Sequence, residues 1–405
     1  MKTVTRFGVF LQVLLVMAIT ACGSLVRNPV PLEMMDQAEL AGMPGVRAFW
    51  DADEISQTFQ DDIIHSVRQE PSDLFDKTQD GVPIYAGLAL SGGGSSGAFG
   101  AGILCGWSKT GSRPTFKLVT GISTGALIAP YAFLGEAYDE KLHKVYTTTS
   151  TKDIAKISKR FPLRNDALMD TSPLAAVIAK DLDESMLADI ATAHNRGRRL
   201  YIGTTNLDAQ RFVVWNMGAI AASGEPGSLQ LFRDIMLASA SIPGVFPPVY
   251  INVDANGQTY DEMHVDGGVI TQVFFYELLL NMGEVARTVR PDTATQNAST
   301  VYVIRNGKAA PEPQQVPREL MAIAGRSLST MIKSASINDL LRIYEYSKQD
   351  GIAFNFTNVP GEFHFESEEA FDQQEMNALF DLGYQILLEG TAWQEHPFEL
   401  KGASK

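Results

Sequence analysis

The chain has 405 residues, of which 45% are hydrophobic and 20% are charged, so it can bury a large core and is not expected to be disordered. Its net charge of −14 at pH 7 excludes nucleic-acid binding, which requires clustered Lys and Arg, and no such cluster occurs in the sequence. The same acidity gives no attraction to anionic lipids, so any membrane attachment must come from apolar or covalent anchoring.

The N-terminus has the pattern of a signal peptide. Lys2 and Arg6 accompany an apolar stretch, residues 7–19, that is too short to span a bilayer. The segment Ile19-Thr20-Ala21-Cys22-Gly23 resembles the lipobox of bacterial lipoproteins, in which the chain is cleaved before the cysteine and the thiol is acylated. Several acyl chains would make membrane attachment stable where a single chain would be marginal.

The lipobox resemblance implies a signal peptide over residues 1–21 and a lipid anchor at Cys22. Because Gly23 is not the Asp associated with retention at the inner membrane, we expect a lipoprotein of the bacterial cell envelope, on the outer membrane, with its domain in the periplasm. An ordinary secretory signal with an incidental Cys22 is the alternative. With Cys22 acylated, Cys105 is the one remaining thiol, which excludes an intramolecular disulfide and a Cys-based zinc site.

Predicted elements follow in chain order. Residues 22–80 contain Pro and acidic residues with weak periodicity, which indicates a tether and one or two peripheral helices. The apolar run over residues 84–90 is typical of a buried strand in a parallel sheet. Further strands are predicted over residues 115–120, 199–204, 211–215 and 300–304. Helices are predicted over residues 98–107, 126–134, 229–239, 317–346 and 372–388.

This alternation of strands and helices predicts an α/β fold, a three-layer α/β/α sandwich around a mostly parallel sheet. We expect a catalytic core over residues 81–310 and a helical C-terminal part, residues 311–405, packed on it. Residues 141–195 have the character of a mobile or helical insertion. His194, which lies among several arginines, is expected at the surface.

The segment Ser91-Gly92-Gly93-Gly94-Ser95-Ser96-Gly97 lies between a predicted strand and a predicted helix. Without side chains, Gly92, Gly93 and Gly94 let the backbone approach an anion, and their N–H groups can converge into an oxyanion hole. Nucleotide phosphate binding is the competing interpretation, because the glycines fit Gly-x-Gly-x-x-Gly. No Asp or Glu follows about 20 residues later to support it.

A second motif, Gly121-Ile122-Ser123-Thr124-Gly125, also joins a strand to a helix. A serine on such a sharp turn requires small neighbours, Gly121 and Gly125, and exposes its hydroxyl beyond the sheet. The helix that follows offers unpaired N–H groups and a partial positive charge where an oxyanion would form. The alternative is a serine in a tight structural turn.

The third motif is His264-Val265-Asp266-Gly267-Gly268, in which a carboxylate precedes two glycines. The glycines can bring the Asp266 carboxylate close to another segment of the chain. On its own, Asp-Gly-Gly is more often an ordinary turn.

The ordered set of these three motifs resembles the patatin-like phospholipase family over residues 84–305. The segment Ala238-Ser239-Ala240-Ser241-Ile242-Pro243-Gly244-Val245-Phe246-Pro247-Pro248 is also similar to that family. The resemblance implies a patatin-like fold with Ser123 as nucleophile, Asp266 as the base and the Gly92, Gly93 and Gly94 amides as the oxyanion hole. It further implies acyl lipids as substrates and a covalent acyl-serine intermediate, with no metal or organic cofactor.

One position departs from the family pattern. Ser96 stands where the family usually has Lys or Arg, which puts the support of the loop and the preferred lipid head group in question. An alternative base is also open, because His264 lies two residues from Asp266 and would face the same side of an extended strand.

The predicted activity is therefore hydrolysis of phospholipids or related acyl lipids. Acyl transfer to an acceptor other than water would use the same residues. The alternative from another class is a lipid-anchored binding or scaffold protein that keeps the fold without catalysis.

Overall fold

A computed structural model describes residues 27–50, 56–157, 166–276, 280, 282–289, 299–367 and 369–397. The predicted signal peptide and Cys22 lie outside these ranges. The strands are β1 (Arg47–Phe49), β2 (Tyr85–Leu90), β3 (Phe116–Gly121), β4 (Lys156–Ile157), β5 (Met169–Asp170), β6 (Arg199–Asn206), β7 (Arg211–Asn216), β8 (Val249–Ala255), β9 (Gln258–Asp266), β10 (Ser299–Lys308) and β11 (Ala353–Val359). The helices are α1 (Gln57–Arg68), α2 (Gly97–Lys109), α3 (Thr124–Leu134), α4 (Asp139–Thr148), α5 (Thr151–Ile154), α6 (Ser172–Asp181), α7 (Glu184–Asn195), α8 (Met217–Ala222), α9 (Ser228–Ser239), α10 (Met282–Val289), α11 (Leu320–Gln349) and α12 (Gln373–Leu388).

The main sheet has the strand order β1-β7-β6-β3-β2-β10-β11. The five strands β6, β3, β2, β10 and β11 run parallel, whereas β7 and β1 extend the sheet in antiparallel fashion. The hairpin of β8 and β9 joins through β9, which pairs with the end of β6. Because β2, β3 and β10 are parallel, the loops that follow them meet at one edge of the sheet, where open α/β sheets usually bind ligands.

Helices cover both faces of the sheet. Leu88 and Val119 face a core that includes α2, α3 and α12, whereas Ala89 and Leu118 face a second core that includes α1 and α11. This alternation along β2 and β3 is the period of two expected of a strand that is buried on both faces. The predicted three-layer α/β/α sandwich with a mostly parallel sheet is therefore confirmed.

The predicted strands and helices correspond to β2, β3, β6, β7 and β10 and to α2, α3, α9, α11 and α12. Six further strands, β1, β4, β5, β8, β9 and β11, were not predicted, and β11 places part of the C-terminal region in the main sheet beside β10. Within residues 141–195, the described part is mainly helical, over α4 to α7. No helix among the described residues combines the length and the hydrophobicity that a bilayer crossing needs.

The expectation that His194 lies at the surface is wrong. His194 is 8% exposed, and burial lowers its pKa to about 4. The neighbouring Arg199 is fully buried and makes an ion pair with Asp62 of α1, at 2.6 Å. This cluster of charge therefore holds α1 against the sheet instead of forming a solvated face.

Candidate active site

Ser123 lies on the turn between β3 and α3. Its φ of +54° and ψ of −125° are a backbone conformation that residues other than glycine rarely adopt. A Cβ atom at Gly125 would lie 2.3 Å from the carbonyl oxygen of Leu90, so the turn closes against the end of β2 only because that position is glycine. The geometry is that of the strand-to-helix bend predicted from Gly121 and Gly125.

Asp266 is the last residue of β9, opposite Thr204 of β6. Its carboxylate accepts a hydrogen bond from the N–H of Gly268, at 2.7 Å, and the Ser123 hydroxyl lies near enough to affect its pKa. Burial raises the pKa of Asp266 to about 6, although the Ser123 hydroxyl and the Gly268 amide act in the opposite direction. The structure thus brings together Ser123 and Asp266.

The glycine loop, residues 91–97, lies against the nucleophile turn. A Cβ atom at Gly92 would lie 3.2 Å from the Cβ atom of Ser123, and one at Gly93 would lie 1.8 Å from the carbonyl oxygen of Asn306. The loop is fixed to β10 because the Asn306 side chain donates to the carbonyl of Ser91 and the Asn306 N–H donates to the Ser91 hydroxyl, both at 2.8 Å. These close approaches explain the glycines at 92 and 93, whereas Gly94 has open space at the Cβ position and is favoured by its φ of +57°.

The three glycine amides are not equivalent. The N–H of Gly92 donates to the carbonyl of Gln272, at 3.0 Å, so its predicted role as an oxyanion donor is corrected to a structural one. Among the described residues, no hydrogen bond occupies the N–H of Gly93 or Gly94. These two amides are the candidates for an oxyanion hole.

Ser239 and Ser241 support the site, and sequence analysis assigned them no role. The N–H of Ser123 donates to the Ser239 hydroxyl at 3.0 Å, and that hydroxyl donates to the carbonyl of Gly203 at 2.7 Å. The N–H of Asp266 donates to the carbonyl of Ser241, at 2.9 Å. One segment at the end of α9 therefore positions both halves of the pair. The only signal for it in the sequence is the family-like stretch that begins at Ala238.

With this geometry in view, residues 88–279 match the family model described as patatin-like phospholipase. The chain carries a patatin-like phospholipase domain. At the level of the family, this match supports lipid hydrolysis and a lipid substrate. The matched range contains Ser123, Asp266 and the glycine loop.

Solved structures similar to the chain include VipD from Legionella pneumophila, with 13% identity, a TM-score of 0.35 and coverage of 80% of this chain and 71% of VipD. The type III effector ExoU has 13% identity, a TM-score of 0.31 and coverage of 78% and 56%. Human GIVD cytosolic phospholipase A2 has 11% identity, a TM-score of 0.28 and coverage of 74% and 50%. The search of curated proteins gave no match. These TM-scores are too low to support an assignment. The assignment to the patatin-like fold therefore depends on the family match and the strand topology.

His264 of the patatin-like domain is engaged elsewhere. Its Nδ1 lies 2.9 Å from the hydroxyl of Thr204, and its Nε2 lies 3.1 Å from the carboxylate of Glu262. Since Trp215 already donates to that hydroxyl, at 2.8 Å, the Thr204 hydroxyl can donate to Nδ1, which leaves Nε2 as the protonated nitrogen. Burial also lowers the pKa of His264, which favours the neutral ring. The structure therefore gives the imidazole no direct hydrogen bond to Ser123.

Two cavities adjoin the glycine loop. A narrow apolar cavity of about 60 Å³ begins at Gly94 and Thr124. A polar cavity of about 330 Å³ lies at Gly92 and Gly93. The loop thus separates an apolar space from a polar one, with the Ser123 turn beside it.

No cluster of His, Cys, Asp and Glu within the described residues could hold a metal ion. Cys105, the free thiol of the described region, is half-buried, and burial raises its pKa to about 12. A thiol with this pKa is not ionised at neutral pH, so Cys105 is not a candidate nucleophile.

Proposed function

We propose that the protein hydrolyses acyl ester bonds of lipids with Ser123 as nucleophile and Asp266 as the base. The observation that carries this proposal is the position of the Ser123 hydroxyl beside a buried carboxylate whose pKa is raised to about 6. An aspartate with this pKa is a stronger base than an ordinary one and is still mostly ionised at pH 7. It can therefore accept the proton of Ser123 without an imidazole.

In the first half of the reaction, the Ser123 oxygen attacks the acyl carbonyl carbon and its proton passes to Asp266. The tetrahedral intermediate then expels the alcohol part of the lipid, which takes the proton from Asp266. In the second half, water attacks the acyl-serine and gives its proton to Asp266. The fatty acid leaves, and the proton returns to the Ser123 oxygen.

The free amides of Gly93 and Gly94 support stabilisation of the oxyanion in both halves. Their N–H groups are fixed by the anchored loop and lack other acceptors among the described residues, so they need little reorganisation when charge develops. One such donor contributes about 3 kcal/mol in measured oxyanion holes. The N-terminus of α3 adds a partial positive charge at the same point.

The apolar cavity supports the ester of a fatty acyl chain as the group that Ser123 attacks. It starts at Thr124, the residue after the nucleophile, and extends between α3, α4, α6 and α9. Its apolar lining includes Leu127, Val145, Leu174 and Met236. Burial of methylene groups there would contribute about 0.8 kcal/mol each.

We also propose that the domain is held at the bacterial outer membrane by acylation of Cys22, so that its substrate is supplied by the same lipid phase. The support is the apolar N-terminal stretch and its lipobox-like end. Radiolabelled palmitate should enter the wild-type protein and not the Cys22→Ala variant. Labelling of that variant would refute the assignment.

The proposed catalytic function is tested by labelling the detergent-solubilised protein with a fluorophosphonate ester. Wild type should be labelled at Ser123, Ser123→Ala should not be labelled, and Asp266→Asn should react at least 100-fold more slowly, because it retains the nucleophile without its base. The matched control is Ser95→Ala, which removes a hydroxyl from the adjacent glycine loop and should react at the wild-type rate.

Folding of each variant is checked by its thermal unfolding. An unlabelled wild type with a normal unfolding transition would contradict the hydrolase and favour a scaffold protein. Analysis of the products separates a hydrolase from a transacylase. A hydrolase releases fatty acid, whereas a transacylase transfers the acyl group to an added alcohol.

A further inference from the structure

The polar cavity beside the glycine loop has no part in the reaction described above. Gly92 and Gly93 form one wall, the end of β10 forms the floor, and the first half of α11 forms the opposite wall. The loop itself, residues 91–97, carries no basic side chain. Any recognition of a charged substrate group next to Ser123 therefore falls to the other walls.

Arg305 lies in the floor of this cavity and is 7% exposed. Its Nε donates to the hydroxyl of Ser336 at 2.8 Å, whereas its Nη1 is buried and has no hydrogen-bond partner in the described part of the chain. Among the described residues, no carboxylate lies within ion-pair distance of it. Burial lowers the pKa of Arg305 to about 10, so the guanidinium stays charged at neutral pH.

An unpaired buried guanidinium is unfavourable for folding, and most buried charges are paired for that reason. Its planar set of donors suits a bidentate contact with a phosphate or carboxylate. A cavity with an unused donor on its floor therefore has the character of an anion site.

The charges around the cavity agree with this interpretation. Besides Arg305, the lining contains Lys308, Arg326 and Lys333 against a single carboxylate, Glu312. Glu312 already has a basic partner, because Lys333 lies 2.7 Å from it. The cavity is thus locally positive in a chain whose net charge is −14.

We propose that the polar cavity binds a phosphate group, with Arg305 as its principal donor, and that in catalysis this phosphate belongs to the head group of the lipid whose ester Ser123 attacks. The assignment rests on the proposed hydrolase function. It is supported by position, since Gly92, whose Cβ would lie 3.2 Å from that of Ser123, lines the polar cavity while Gly94 lines the apolar cavity. A phospholipid would then lie across the loop, with its acyl chain on one side and its phosphate on the other.

The test compares two short-chain substrates below their micellar concentrations, dihexanoylphosphatidylglycerol and dihexanoylglycerol, which share their acyl esters and differ in the phosphate-bearing group. In Arg305→Gln, kcat/KM should fall at least tenfold for the phospholipid and stay within twofold of wild type for the neutral ester. Lys348→Gln, which removes an exposed charge from the same helix α11 outside the cavity, should leave both values unchanged.

A second arm does not depend on catalysis. Inorganic phosphate should raise the Tm of wild type relative to chloride at equal ionic strength, and should not raise that of Arg305→Gln. Because Arg305 is buried without an ion-pair partner, we expect Arg305→Gln to fold. Lys333→Gln, at the more exposed rim of the cavity, should reduce kcat/KM for the phospholipid and the phosphate-induced Tm shift to a smaller extent.

In Arg305→Gln, loss of the preference for the phospholipid together with loss of the phosphate-induced Tm shift supports the proposal. If only the Tm shift is lost, the cavity binds free phosphate and the head-group assignment is overturned. If neither changes, the whole proposal is overturned. If wild type hydrolyses neither substrate, the hydrolase function fails, while the Tm arm still decides whether Arg305 binds phosphate.

Discussion

Glu262 and Asp266 lie on the same strand, β9, and their side chains share one face because side chains alternate along a strand. Both are almost fully buried, at 2% and 6% exposure. Burial alone would raise the pKa of each. For Glu262, the hydrogen bond from His264 and the charge of Arg47 reverse this and lower the pKa to about 2. Asp266 has no cationic partner within the described part of the chain, and its pKa is raised to about 6.

The difference shows what distinguishes a structural carboxylate from a reactive one in this fold. Arg47 binds Glu262 through two nitrogen atoms, and His264 completes the network. That charge is satisfied and holds β1 against the hairpin. Among the described residues, Asp266 has a hydrogen bond from an amide and a hydroxyl beside it but no cation, so its ionised form is poorly stabilised and readily accepts a proton.

The largest expected effect comes from Asp266→Asn. This change should lower kcat about 1,000-fold or more, because the base is lost while the nucleophile and the oxyanion donors remain. It should also stabilise the protein at pH 8, on the order of 2 kcal/mol, because a buried ionised carboxylate is replaced by a neutral amide. Ester hydrolysis and urea unfolding measure the two effects.

The sign of the stability effect follows from the raised pKa. A carboxyl group with a folded pKa of about 6 and an ordinary pKa of 3.8 makes wild type progressively less stable as pH rises through this interval. The gain of Asp266→Asn should therefore be complete above about pH 6 and vanish below about pH 4. If Asp266→Asn were less stable than wild type at pH 8, the ionised Asp266 would stabilise the folded protein, as Glu262 does.

Glu262→Gln should give the opposite result, a loss of about 3 kcal/mol in unfolding free energy, because Arg47 would remain buried without its counter-charge. Urea unfolding at pH 7 measures it. The control is Asp36→Asn, which breaks the exposed pair with Arg211 and should change stability by less than about 0.5 kcal/mol. If Glu262→Gln and Asp36→Asn lowered the unfolding free energy equally, burial would not explain a difference between the two ion pairs.

Much of the central sheet could be predicted from the sequence, because β2, β3, β6, β7 and β10 are apolar runs that need no partner to be recognised. The hairpin β8–β9 was missed because Glu262 and His264 occupy buried positions that look polar in the sequence. Their burial depends on Arg47, 215 residues away from Glu262 along the chain. Such contacts leave no local pattern.

For the site, Ser123 and Asp266 were predicted from motifs and family resemblance, and the structure brings them together. The glycine motif could not reveal which amides stay free, because that depends on the carbonyl of Gln272, which takes the N–H of Gly92. Arg305 was also missed. Nothing in a predicted strand marks one arginine as buried without an ion-pair partner among the described residues.

The most direct test of Asp266 as the base is the pH dependence of kcat/KM for a neutral ester, measured in wild type and in His264→Asn. A base with a pKa of about 6 predicts that activity falls about tenfold per pH unit below that value. An imidazole would titrate in the same range, so the variant decides between the two bases. We expect His264→Asn to keep the inflection and to stay within about threefold of wild-type activity, since His264 bonds to Glu262 and Thr204. A folded His264→Asn protein that has lost the inflection, or nearly all activity, would contradict Asp266 as the base.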